Sequence, residues 1–136
     1  MLMPKRVKYR KHHRGRIRGV ATRCNTVAFG EFGLQALEPA WIPARTIEAG
    51  RIAATRAAPE AKVLIRIFPQ KSVSSKPAET RQGTGKGDVD YWTAVVKPGT
   101  VLYELGGCTE DVAKKAFNRV AHKLPVKVRM IHRRHG

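Results

Sequence analysis

The amino-acid sequence predicts one α+β domain with the element order ββ-α-β-loop-ββ-α-β, preceded by a basic extended arm. A length of 136 residues fits a single domain, since domains commonly hold about 100 to 200 residues. Each of two helix-forming segments follows two strand-like segments and precedes one more, which is typical of an α+β protein. With 42% apolar residues the chain can fill a core. We place the arm at residues 1–25 and the domain at residues 26–136.

The arm carries a large share of an unusually high positive charge. The chain has 27 Lys and Arg against 10 Asp and Glu, a formal net charge of +17, which indicates a polyanionic partner such as nucleic acid or an anionic membrane. Few apolar side chains occur in the arm, so we expect it to be disordered alone and ordered by phosphates, the alternative being a solvated tail. Its candidate RNA-binding residues are Lys5, Arg6, Lys8, Arg10, Lys11, Arg14, Arg16, Arg18 and Arg23.

The first half of the domain is predicted to contain two strands and a helix. Residues 26–37 have the apolar spacing of two short strands, with Gly30 and Gly33 at a turn or bulge. Residues 38–43 end the second strand and lead into a helix at 44–56 with a proline near its first turn. Small residues share one face of this helix, which favours close packing on a sheet. The arginines off that face are either phosphate ligands or solvated: Arg45, Arg51 and Arg56.

A third strand is followed by a long loop. Residues 62–68 are rich in branched side chains and predict a strand that Pro69 ends. Residues 70–90 are mostly Lys, Ser, Pro and Gly, and a loop of about twenty residues in a compact domain is uncommon and usually functional. Glycines there allow the backbone to approach a sugar-phosphate strand closely. The candidate residues of the loop are Lys76, Arg81, Gly83, Gly85, Lys86 and Gly87.

The second half repeats the order of strands and helix. Residues 91–97 and 100–105, joined by a Pro-Gly turn, predict a hairpin. Thr109 is the predicted N-cap of a helix whose acidic first turn suits the helix dipole and whose apolar stripe runs to Leu124. Residues 126–131 predict the last strand.

The sequence offers little support for chemistry other than binding. The glycine run lacks the P-loop pattern, because Lys86 is followed by Gly87 and a strand instead of Ser or Thr and a helix. Cys24 and Cys108 have no neighbouring metal-ligand partner and no catalytic triad or carboxylate pair is indicated, so we expect reduced thiols, no metal, no cofactor and no catalysis. No run of about 20 apolar residues occurs, so we expect no membrane partner. Two other classes stay open, a free-standing RNA chaperone or DNA-binding protein and a nucleotide-using enzyme.

Motifs along nearly the whole chain resemble those of one family. They are the opening Met-Leu-Met-Pro-Lys-Arg-Val-Lys-Tyr-Arg-Lys, Val-Ala-Phe-Gly-Glu-Phe-Gly-Leu-Gln-Ala-Leu-Glu at 27–38, Ile-Arg-Ile-Phe-Pro at 65–69, Lys-Pro-Ala-Glu-Thr-Arg at 76–81 and Tyr-Trp at 91–92. In this order they resemble the universal large-subunit ribosomal protein numbered sixteen in bacteria. The chain departs from the family at residues 57–61, Leu64 and Gln70, so we carry no RNA contacts over to 57–61.

This resemblance implies a hammerhead-like fold and a structural, non-catalytic role in the large ribosomal subunit. Such proteins join late in assembly and bind large-subunit ribosomal RNA near the peptidyl-transferase centre, among neighbouring ribosomal proteins. In these proteins the long loop reaches toward aminoacyl-tRNA, and peptidyl-tRNA is a second candidate partner of the loop. The alternative is that the loop only anchors the domain on rRNA. Some members carry a hydroxylated arginine that matches Arg81. The implied location is the ribosome of a bacterial cytoplasm or of a plastid stroma.

Overall fold

The computed structural model describes residues 3–5, 17, 19–74 and 89–134, and these form the predicted α+β domain with two helices and two antiparallel sheets. The strands are β1 (Phe32–Ala36), β2 (Ala40–Pro43), β3 (Lys62–Ile65), β4 (Lys71–Ser74), β5 (Val89–Val96), β6 (Val101–Gly106) and β7 (Val128–His132), and the helices are α1 (Ala44–Ala57) and α2 (Glu110–Ala121). One sheet has the order β3-β6-β1-β7 and the other has the order β2-β5-β4.

The consecutive strands β5 and β6 lie in different sheets, so the predicted hairpin is wrong. β5 pairs with β2 and β4, whereas β6 pairs with β1 and β3. The turn between them is bonded to β1, since the Gly99 N–H donates to the Ala36 carbonyl and the Ala36 N–H donates to the Thr100 carbonyl, both at 2.8 Å. β6 is buried from Val101 to Leu105 without alternation. A strand buried on both faces needs strand neighbours on both sides and cover above and below, which β5 alone could not supply.

Only one of the two strands predicted in residues 26–37 forms there, as β1, so the second prediction is wrong. Residues 28–30 form a turn whose N–H groups bond to the carboxylate of Glu104, so they cannot join a strand ladder. Gly33 lies inside β1, where a Cβ would come 2.6 Å from a methyl group of buried Val27. The second strand of the fold is β2, formed by residues predicted as a connection, and its Ile42 is completely buried.

The loop predicted at residues 70–90 has a strand at each end. β4 and β5 pair with each other, and the paired residues Ser72 and Trp92 are both buried. β4 consists mostly of polar residues, so the sequence did not predict it as a strand. A strand needs only one buried face, and the small side chain of Ser72 occupies that face in β4. Residues 75–88, with all six candidate residues of the loop, lie outside the described residues.

Both helices form within a few residues of their predicted ends. Thr109 is the N-cap of α2, and its hydroxyl oxygen accepts a hydrogen bond from the Val112 N–H at 3.5 Å. α1 packs against α2 and against strands, and on its small-residue face Gly50 and Ile47 contact Tyr103 of β6. β3 ends earlier than predicted, and β7 begins and ends later than predicted. Among the described residues, neither helix has the length and apolar character that a membrane span requires.

One hydrophobic core joins both sheets and both helices. Tyr103 of β6 is completely buried there, and its hydroxyl donates a hydrogen bond of 2.6 Å to the carbonyl of Ile47 in α1. Burial raises the pKa of the Tyr103 hydroxyl far above its ordinary value, and the Glu48 charge adds to that effect. Gly50 makes the close approach possible, because a Cβ at this position would overlap the tyrosine oxygen.

Candidate nucleic-acid interface

The three-stranded sheet turns one face to the core and the other face outward. Ile42, Trp92, Ala94 and Val96 alternate along β2 and β5 on the inner face, and each is at most 5% exposed. Because paired residues of antiparallel strands share a face, the outward side chains include Trp41 and Val95. Lys71 of β4 and Tyr91 of β5 belong to the same outer face.

A cationic side chain lies over each of the two aromatic rings on this outer face. The Nζ atom of Lys71 lies 4.3 Å from the ring centroid of Trp41, and the guanidinium carbon of Arg45 lies 5.8 Å from that of Tyr91. Both distances are within the range of cation–π attraction. The indole N–H of Trp41 is buried and has no hydrogen-bond acceptor among the described residues. This face therefore combines positive charge with stacking surfaces, as single-stranded nucleic acid requires.

The predicted loop starts and ends at the strands of this same sheet. β4 ends at residue 74 and β5 begins at residue 89, so the chain leaves and re-enters this sheet at the two ends of residues 75–88. Arg45 belongs to the first turn of α1, which contains no acidic residue. The helix N-terminus thus adds partial positive charge to the same region.

A second polar surface lies beside β7, where the arm joins the domain. It is a groove of about 380 Å³ whose polar side chains include Asn25, Gln35, Arg129 and Arg134. Gln35 is 8% exposed, and its amide donates to the Gly99 carbonyl at 2.9 Å while its oxygen accepts from Nε of Arg129 at 2.9 Å. The second interaction holds the guanidinium of an exposed arginine in one orientation. We call this surface the basic groove.

The predicted RNA-binding residues of the arm and the domain have different surroundings. Arg23, Arg45 and Arg56 are exposed, as is Lys5 at the start of the chain. Arg51 is half-buried and forms an ion pair with Glu48 of the same helix, which lowers the pKa of that carboxyl. Arg51 therefore offers less free charge than the sequence suggested. The remaining arm candidates lie outside the described residues: Arg6, Lys8, Arg10, Lys11, Arg14, Arg16 and Arg18.

Sequence reasoning singled out Arg45 but missed most of the other residues that define the two surfaces. Trp41 was placed in a connection and Lys71 in a loop, and Gln35 and Arg129 were not singled out. Residues 91–96 read Tyr-Trp-Thr-Ala-Val-Val and do not alternate, so no local pattern marked the outer face of β5. No local pattern could have brought Gln35 and Arg129 together, since they meet by pairing of β1 with β7. Cys24 and Cys108 are both free thiols.

An α+β domain with a net charge of +17 and cationic surfaces of this kind is typical of a protein that works within a ribonucleoprotein. Comparison with known proteins agrees with this class. The sequence model of the family described as ribosomal protein L16p/L10e matches residues 4–131, and the chain belongs to this family.

The relatives span nearly the full length of the chain. It is 63% identical over 134 residues to the large ribosomal subunit protein uL16 of Rhodopirellula baltica, covering 98% of this chain and 97% of that protein. It is 58% identical over 132 residues to uL16c of Phaeodactylum tricornutum, covering 96% of each. It is 54% identical over 132 residues to uL16c of Solanum bulbocastanum, covering 96% of this chain and 98% of that protein.

The chain is therefore a structural constituent of the large ribosomal subunit, and its general partners are ribosomal RNA and other ribosomal proteins. The family is one of ribosomal structural proteins, not an enzyme family. Bacterial and plastid relatives both occur, which matches the expected location on the ribosome of a bacterial cytoplasm or of a plastid.

Proposed function

We propose that this chain binds large-subunit rRNA through its arm and its basic groove, without catalysis, and that residues 75–88 help to form the aminoacyl-tRNA site near the peptidyl-transferase centre. The observation that carries the first part is the fixed position of Arg129 at the junction of arm and domain. A guanidinium held in one orientation loses less conformational freedom when it binds a phosphate.

The tRNA part of the proposal rests on the family resemblance and on the outer face of the three-stranded sheet. The residues that flank 75–88, Ser74 and Val89, pair with each other in the sheet that also carries the Trp41–Lys71 and Tyr91–Arg45 pairs. An RNA strand that runs along this face would meet cations for its phosphates and aromatic rings for its bases. Lys76, Arg81 and Lys86, with the glycines between 83 and 87, would extend this surface toward aminoacyl-tRNA and, beside it, peptidyl-tRNA.

Reconstitution of large subunits tests the rRNA part. Subunits depleted of this protein are incubated with the wild-type chain or with Arg129→Ala/Arg134→Ala at several concentrations, and occupancy is measured by mass spectrometry. Lys115→Ala/Arg119→Ala is the matched control, because it removes the same charge from exposed positions of α2 outside the basic groove. The proposal expects the groove variant to need a higher concentration for half-occupancy. Equal behaviour of the two double variants would contradict it.

A further inference from the structure

The turn at residues 28–30 is held by a buried carboxylate. Oε1 of Glu104 accepts the N–H groups of Ala28, Phe29 and Gly30 at 3.1, 2.8 and 2.8 Å, and its other oxygen bonds to the guanidinium of Arg66. Burial by itself would raise the pKa of Glu104, but the turn's N–H groups and Arg66 outweigh it and lower that pKa. The carboxylate therefore stays charged near neutral pH and fixes the turn.

This fixed turn presents Phe29 to solvent. Phe29 is 70% exposed, although its backbone N–H is held by the Glu104 carboxylate at 2.8 Å. The guanidinium carbon of Arg66 lies over the ring, 5.2 Å from its centroid. One face of the ring thus rests on a cation, and most of the remaining ring surface is free.

The charge around Phe29 favours a flat, uncharged ligand over a phosphate. Arg66 is already paired with Glu104, and its Nη1 also donates to the Thr26 carbonyl at 3.3 Å. Because the Glu104 carboxylate already compensates its charge, this guanidinium attracts a further anion only weakly. An aromatic ring polarised by that cation, however, stacks well on another π system. Nucleobases are the flat π systems that a partner of a +17 chain supplies in quantity.

The position of the turn connects this ring to the basic groove. Thr26 lines that groove, and Phe29 follows three residues later, which is a distance of at most about 11 Å along the chain. An RNA strand whose phosphate lies in the groove can therefore place a neighbouring base on the ring. We propose that Phe29 is a stacking platform for an unpaired base of RNA, with Arg66 on the opposite face of the ring. This inference rests on the proposed binding of rRNA.

The test compares two oligonucleotides of equal charge, an adenosine octanucleotide and an abasic ribose-phosphate octamer. Affinities of the full chain for both are measured at several salt concentrations for wild type, Phe29→Leu and Phe29→Trp. Phe68→Leu is the matched control, because it makes the same change at another exposed phenylalanine. We expect Phe29→Leu to reduce the preference for the adenosine strand by about fivefold or more, and Phe29→Trp and Phe68→Leu to preserve it.

The outcomes separate the stacking platform from rRNA binding in general. A salt-dependent affinity for both oligonucleotides with an unchanged preference in Phe29→Leu would overturn the platform and leave the proposed function intact. An equal loss in Phe68→Leu would also overturn it, since the effect would then not belong to this ring. Absence of binding to either oligonucleotide by the wild type would contradict the proposed function and the platform together.

Discussion

Gln35 of β1 holds Arg129 of β7 through a hydrogen bond of 2.9 Å from the arginine Nε to the glutamine oxygen. The same glutamine donates to the Gly99 carbonyl of the turn after β5. A largely buried amide thus connects the first strand, the last strand and an intervening turn, and it orients a cation at the edge of the basic groove. The geometry of the basic groove depends on Gln35, but the charge of the groove does not.

Replacement of Gln35 by Met tests this dependence, because the side chain keeps its volume and loses its hydrogen bonds. We expect RNA affinity to fall about two- to tenfold, the range for leaving one long side chain unordered before binding. The salt dependence of binding should stay the same, because no charge is removed. Affinity is measured at several salt concentrations and compared with urea unfolding of the same sample. Unchanged affinity in a folded variant would show that Arg129 needs no fixed orientation.

The charge on Glu104 predicts how stability responds to acid. Its pKa is lowered in the folded chain, so its stabilising effect is complete above the ordinary glutamate pKa of about 4.3 and is lost as the pH falls through the lower folded value. Glu104→Gln should remove about 3 kcal/mol at neutral pH, because Arg66 loses its buried partner. The free energies of unfolding of wild type and variant should approach each other as the pH falls below the ordinary glutamate pKa and through the lower folded value. Glu60→Gln, at an exposed position, is the control, and parallel curves for wild type and Glu104→Gln would refute the prediction.

Gly50 should not tolerate the substitution that helix propensity favours. Alanine is a better helix former than glycine by about 1 kcal/mol, yet Gly50→Ala would push its Cβ against the hydroxyl group of Tyr103. Overpacking of a buried site commonly costs about 1 to 3 kcal/mol, so we expect net destabilisation in urea unfolding. Adding Tyr103→Phe should recover part of the loss, because the oxygen in the way is removed. A Gly50→Ala variant as stable as wild type would contradict the packing described here.

The proposed role of residues 75–88 predicts separate effects on stability and on tRNA. Arg81→Ala with Lys86→Ala should change the free energy of unfolding by about 0.5 kcal/mol or less, as exposed substitutions usually do. Subunits fully occupied by this variant should bind aminoacyl-tRNA more weakly than wild-type subunits. Occupancy and tRNA affinity are measured on the same preparation. Poor incorporation with normal tRNA affinity would instead support a loop that only anchors the domain on rRNA.

The elements that sequence reasoning placed correctly are those whose signals are local. α2 is the best example, since an N-cap, an acidic first turn and an apolar stripe all lie within one segment, and Thr109 caps the helix as predicted. α1 was found from its run of helix-forming residues and from the proline just before its first turn. The α+β class followed from the order of these segments, which the strand bounds do not affect.

What the sequence could not provide were the partners of each strand. The Pro-Gly turn after β5 predicted a hairpin, but Gly99 bonds to Ala36 of β1, and the strands on either side of the turn belong to different sheets. A turn signal specifies a change of direction and carries no information about which strand lies alongside. The same limit applies to the candidate site, because the Trp41–Lys71 pair comes from strands separated by a helix and another strand.

The proposed binding of rRNA by the basic groove and the arm depends on neutralisation of phosphates, so its salt dependence is the decisive measurement. The logarithm of the affinity of the full chain for large-subunit rRNA is plotted against the logarithm of salt concentration. Each neutralised phosphate contributes a slope of about −0.9 on duplexes and about −0.7 on single strands. We predict a wild-type slope of several units. Arg129→Ala/Arg134→Ala and Arg14→Ala/Arg16→Ala/Arg18→Ala should each reduce it by about one unit for every phosphate that the variant no longer neutralises. Lys115→Ala/Arg119→Ala should leave the slope near the wild-type value. A flat salt response of the wild type, or equal reductions in the groove variant and the α2 control, would show that the basic groove and the arm do not bind rRNA in this way.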